Sequence, residues 1–101
     1  MTATEDAVRE ALRQVLDPEL GVNIVDLGLV YEVHVDAHDV RIVMTMTSPA
    51  CPLGDYIKQL IESEIASRLP DVERTDIEFV FEPRWQPEMM SDAAKRHLDG
   101  G

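Results

Sequence analysis

Cys51 is the one cysteine of the chain, and its surroundings are those of a thiol with work to do. It stands in Thr45-Met46-Thr47-Ser48-Pro49-Ala50-Cys51-Pro52, between an alternating, strand-like stretch and a helical one. That order puts its sulfur at or beside a helix N-terminus. There the positive end of the helix dipole and free backbone N–H groups favour the thiolate. Pro49 and Pro52 stiffen the approach and fix where the thiol points. A thiolate is both the nucleophile and the soft metal ligand of protein chemistry. Asp55, one turn along, and a formal net charge of −11 disfavour the anion, so the expected activation is moderate. The competing reading is a buried structural cysteine, the common fate of this residue type. Position alone leaves both readings open.

The second place for chemistry is the acidic loop Asp17-Pro18-Glu19 with Asp26. Carboxylates beside a thiol offer hard ligands to a metal. The favoured reading is simpler: short acidic side chains at 17 and 26 accept hydrogen bonds from loop amides. His34 on the polar side of a strand, His38 in a turn and His97 near the end show no metal-ligand spacing, so they read as solvent-exposed. No GxGxxG, GxxxxGK[ST], GxSxG or CxxC pattern is present, which leaves nucleotide, acyl-transfer and dithiol chemistry without a local signature. Trp85, between prolines and followed by Met89 and Met90, either folds back to fill the edge of the core or offers a partner surface, where Trp and Met are enriched.

The elements that must hold these residues follow from periodicity. Val8, Ala11, Leu12, Val15 and Leu16 make one helical face after Thr4 as N-cap, and Asp17-Pro18 ends that helix. Asp17 to Gly28 is a loop with one helical turn at Asn23 to Leu27, given backbone freedom by Gly21 and Gly28. Leu29, Tyr31, Val33 and Val35, then Val40, Ile42, Met44 and Met46, are the apolar sides of two strands joined by a hairpin-length Asp36–Asp39 connection. A second helix is expected from about Pro52, as first helical residue, to Leu69, with Leu53, Ile57, Leu60, Ile61, Ile65 and Leu69 inward. Ile77, Phe79 and Phe81 give a third strand, and Ser91 caps a short last helix through His97. The fold class is therefore α+β, an α-β-β-α-β two-layer domain whose small mixed sheet is covered on one face by two helices. One domain spans residues 1–101, with 83–101 as its C-terminal tail.

The chain has 101 residues with 45% hydrophobic content, enough for one modest core. Twenty acidic residues against nine basic ones argue against nucleic acid and anionic membranes as partners. The N-terminus lacks signal-peptide zones, and no apolar run reaches the roughly 20 residues of a membrane span. A single cysteine allows no internal disulfide, so a reducing, cytoplasmic setting is the expectation.

These residues also carry a resemblance. Asp17-Pro18-Glu19-Leu20-Gly21 with Asn23-Ile24-Val25-Asp26-Leu27-Gly28-Leu29-Val30-Tyr31, then the segment from Met44 to Pro52, then Trp85-Gln86-Pro87-Glu88-Met89-Met90-Ser91 with Ala93-Ala94, resemble in order the motifs of the SufT/PaaD-like metal–sulfur cluster assembly family. The resemblance covers nearly the whole chain. It implies an iron–sulfur-assembly-type fold related to the C-terminal domain of NifU-like scaffolds, and a non-enzymatic role in iron–sulfur cluster assembly, transfer or protein maturation. The family's cysteine falls on Cys51, and its acidic positions on Asp17, Glu19 and Asp26. Thr47, Pro49, Pro52 and Trp85 are the remaining candidate site residues. The PaaD branch, tied to phenylacetyl-CoA ring hydroxylation, typically adds a cysteine-rich C-terminal segment. This chain ends at Gly101 without a second cysteine, which favours the short SufT-like branch.

Ligand arithmetic bounds the mechanism. A [2Fe–2S] or [4Fe–4S] cluster usually takes four protein ligands, mostly thiolates, and one chain supplies one. Tight binding to a monomer is not expected. Stable holding needs a homodimer giving two Cys51 thiolates plus carboxylates or external thiols, whereas transient transfer needs less. The expected partners are iron–sulfur assembly proteins or client apoproteins. The alternatives are an adaptor without cluster, recruiting a basic partner through its acidic face and Trp85, or an accessory protein of a ring hydroxylase.

Overall fold

The computed structural model describes residues 4–18, 20–46 and 54–99. In chain order the elements are α1 (Glu5–Leu12), β1 (Val30–Asp36), β2 (Asp39–Met44), α2 (Gly54–Arg68), β3 (Arg74–Phe79), a 3-10 turn at Pro87–Met89 and α3 (Asp92–Asp99). β1 pairs antiparallel with β2, and β3 joins β2 in parallel, so the sheet is mixed with order β1-β2-β3. This is the expected α+β architecture, with the short last helix as α3. No described helix is long and apolar enough to cross a membrane.

The Thr4 hydroxyl accepts the Ala7 N–H at 3.1 Å and starts α1, while Glu5 and Asp6 in the first turn complement the helix dipole. α1 stops at Leu12, a full turn before the expected Asp17-Pro18 boundary. The reason lies in the next hydrogen bonds. The Ile24 N–H donates to the Val15 carbonyl, and Leu16 forms an isolated bridge with Asn23. Tertiary pairing with the following loop replaces another turn of helix, whose gain would be small. Leu16, placed by periodicity on the buried stripe, is consequently 52% exposed.

The register sorts the sheet into two faces. On the inner face Val33, Ile42 and Ile77 stand in one cross-strand row, with Val35, Val40 and Thr75 in the next. Val8, Ala11 and Leu12 of α1 and Ile57, Ile61 and Ile65 of α2 complete this core and are essentially fully buried. The spacing of four along α2 is what one helical stripe requires; Leu60 and Leu69 sit half-buried at its margin. On the outer face the rows are Glu32–Val43–Glu78, His34–Arg41–Asp76 and Asp36–Asp39–Arg74. All are exposed except Val43.

Strict alternation is broken at the end of β3 and on the outer face of β2. β3 was expected to carry its alternation to Phe81 and Glu82. The Val80 N–H still donates to the Met44 carbonyl, but β2 ends there, and Phe81, with no partner strand, is 40% exposed. The chain turns at a cis Glu82–Pro83 peptide, and Pro83 and Met89 come to line the same hollow as Val43. Val43 is the buried residue of these outer rows. α3 begins as expected, the Ser91 hydroxyl accepting the Ala94 N–H at 3.1 Å, and Ala94 reaches the core.

Candidate functional site

The turn at 23–29 is the hub on which the distant parts of the sequence meet. It is built locally first. The Asn23 side chain accepts the Asp26 N–H at 2.9 Å and donates to the Asp26 carboxylate at 2.7 Å. The Leu27 N–H reaches the Asn23 carbonyl and the Gly28 N–H the Val25 carbonyl, the one helical turn expected here. Gly28 exits at φ +79, and a Cβ there would stand against the backbone carbonyl group of Met89. Only glycine meets both demands.

Three hydrogen bonds to carbonyls of residues 26–29 then tie this turn to the rest. The Thr45 N–H donates to the Leu29 carbonyl at 2.8 Å, fixing the exit of β2. The Trp85 indole N–H donates to the Leu27 carbonyl at 2.7 Å. The Ser91 N–H donates to the Asp26 carbonyl at 2.7 Å. Tyr31 adds a fourth tie from the start of β1, its hydroxyl donating to the Pro83 carbonyl at 2.7 Å. Trp85 folds back, its ring half-buried against the core. Opening, central and closing motifs are thus held together by main-chain groups, which carry little trace in residue type.

Asp17 is 3% exposed. Its carboxylate accepts the Leu20 N–H at 3.2 Å, and its backbone exchanges hydrogen bonds with Gly21 and Val22. Asp26 is engaged with Asn23 as above. Both carboxylates thus have hydrogen-bond partners within their own loop. Gly21 has φ +69 with nothing near its missing Cβ. Glu19, Thr47, Pro49, Cys51 and Pro52 lie outside the described residues, as does Leu53. Their described flanks are Met46, buried after β2, and Gly54, the first residue of α2, which packs near the Phe79 ring. Among the described residues no group of three or more histidines, cysteines or carboxylates could hold a metal ion.

Away from this hub, the outer face of the sheet carries Arg41 paired with Glu78 and, at 3.1 Å, His34 beside Glu32. The hydrogen bond to Glu78, and then its charge, raise the Arg41 guanidinium further above its ordinary range. Asn23, Gly28 and Tyr31 belong to the opening motif, and residue type alone assigns them no contact. The spacing of Asn23 and Asp26, an amide side chain three residues before a carboxylate, is the one local signal that foretells their mutual hydrogen bonds.

Comparison with known proteins agrees with the motif reading. The profile of the iron–sulfur cluster assembly protein family matches residues 5–79. The chain is 45% identical over 96 residues to the Fe–S protein maturation auxiliary factor YitW of Bacillus subtilis, covering 90% of this chain and 93% of that protein. It is 45% identical over 82 residues to the Fe–S protein maturation auxiliary factor SufT of Staphylococcus aureus, covering 80% and 92%. A domain of unknown function from Bacillus anthracis, solved by crystallography, superposes with a TM-score of 0.92 at 40% identity, covering 94% of this chain and 91% of that one. By the matched profile and the extent of these similarities, the chain belongs to the iron–sulfur cluster assembly protein family.

Proposed function

We propose that this protein is a non-enzymatic maturation factor for iron–sulfur proteins, with the Cys51 thiolate as its contact to iron, a cluster or a partner's thiol. The observation that carries this reading is the convergence on the strand end leading to Cys51. Leu29 pins Thr45, and the same turn is pinned by Trp85 and Ser91. The chain therefore enters the segment that carries Cys51 from a strand end fixed by these contacts. The names of the relatives YitW and SufT, both maturation auxiliary factors, support the cellular role and the short SufT-like branch.

Iron or a cluster is cargo in this scheme. With one cysteine per chain and a need for about four ligands per cluster, Cys51 supplies one bond, and the other ligands come from a donor, an acceptor or a second chain. That favours brief contact during hand-over. The partners are iron–sulfur assembly proteins or client apoproteins.

Anaerobic purification of wild type and Cys51→Ser, with iron, acid-labile sulfide, visible absorption and native mass recorded on both, tests the contact. A chromophore and iron that appear on reconstitution of wild type and vanish in Cys51→Ser are expected. Equal iron and sulfide on both proteins would remove Cys51 from the role.

A further inference from the structure

We infer that the outer face of the sheet is a docking surface for a basic, extended segment of a partner protein, a reading that does not depend on Cys51. This face is the one that neither α1 nor α2 covers. Between its centre and the returning tail lies an open trough of about 680 Å³. The floor is apolar, with Val43, Val80 and Met89 among its lining. Glu32, Glu78 and Glu82 stand around it. Arg41 is engaged by Glu78, and His34 by Glu32, while Glu82 makes no ion pair among the described residues. The uncompensated charge on the face is therefore negative.

An apolar floor inside a carboxylate rim suits one kind of occupant. An extended segment turns every second side chain the same way, so alternating apolar and cationic residues can fill the floor and reach the rim together. Arginine is the better cation, because its fork bonds a carboxylate through two N–H groups. Other occupants meet repulsion. A second copy of this chain would set the same acidic rim against itself at a net charge of −11 per chain, and nucleic acid would bring phosphate to carboxylate.

The test uses the full chain, labelled with nitrogen-15, and a synthetic peptide alternating arginine and leucine, at low and near-physiological ionic strength. The expected result is a set of amide shifts centred on Glu32, Val43, Glu78 and Val80, with affinity falling as salt rises. The double variant Glu32→Gln/Glu82→Gln should weaken binding on the order of fivefold, as loss of two rim charges does. Asp55→Asn/Glu62→Gln, the same charge change on the exposed side of α2, should alter it less than about twofold. Both pairs are exposed, and the spectra report directly that each variant is folded. Equal weakening by the two variants would reduce the effect to bulk charge and overturn the proposal. Absence of binding, shifts centred elsewhere, or shifts on this face produced by self-association on concentrating the free protein would overturn it as well. Loss of peptide binding with normal iron handling, or the reverse, separates this surface from the role of Cys51.

Discussion

On the inner face of the sheet Val33, Ile42 and Ile77 stand in one row beneath two helices, whereas on the outer face a neighbouring row is His34, Arg41 and Asp76, open to water. The same strands supply both rows, one residue apart. The inner row holds the fold together, because apolar area removed from water stabilises by roughly 25 cal/mol per Å². The outer row contributes little to stability, because exposed ion pairs such as Arg41–Glu78 are weak. A face that is free of structural duty can be given over to recognition. The exception is Val43, an apolar residue of the outer face that is buried and lines the same hollow as Pro83 and Met89 of the tail.

The contrast can be broken most strongly from inside. Ile42→Ala, at a fully buried position, should cost roughly 2–5 kcal/mol, read as a large drop in the urea midpoint; a loss under about 1 kcal/mol would mean that the row is not the core. Next comes the hub that brings the tail to the outer face. Gly28→Ala should destabilise by roughly 3 kcal/mol, since left-handed backbone and a clash with the Met89 backbone add together. Gly21→Ala, equally left-handed but with open space around it, should cost only about 1 kcal/mol. If thermal unfolding shows the two glycine variants to be equal, the tail does not press on Gly28 as described. An effect smaller than that of Gly28→Ala is expected for Trp85→Phe. It keeps most of the packing but leaves the Leu27 carbonyl without its indole donor, a loss of about 1–2 kcal/mol. At the far end of the scale, Arg41→Ala should leave the unfolding midpoint within error, and a clear destabilisation would show the outer face to be structural after all.

Much of this architecture was legible in residue order. Thr4 and Ser91 announce helix starts by their chemistry. The alternation from Leu29 through Met46 locates two strands, and the run of isoleucines at 57, 61 and 65 marks the buried side of α2. Where the reading departs from the structure, a long-range contact has overridden a local pattern. Leu16 continues the helical period of α1, yet it is drawn off by the bridge to Asn23. Phe81 continues the period of β3, yet no strand remains beside it. Trp85 was open to two readings because its partner, the Leu27 carbonyl, is a main-chain group 58 positions away. The site divides the same way. Cys51 stands out by residue type and by its place between strand and helix, and the family motifs single out Asp17 and Asp26. That both carboxylates find partners in their own loop, and that Asn23 and Gly28 hold the hub, rests on hydrogen bonds and space that appear only once the chain is folded.

The central claim is that Cys51 acts in maturing other proteins and not in holding this one together. Its most direct test is the activity of an iron–sulfur hydro-lyase in cells lacking their own copy of this protein, complemented with wild type or with Cys51→Ser at matched levels, alongside the thermal midpoint of the purified variant. The account predicts an unchanged midpoint and a client that stays inactive with Cys51→Ser but regains activity with wild type. Full client activity supported by a folded Cys51→Ser protein would contradict it.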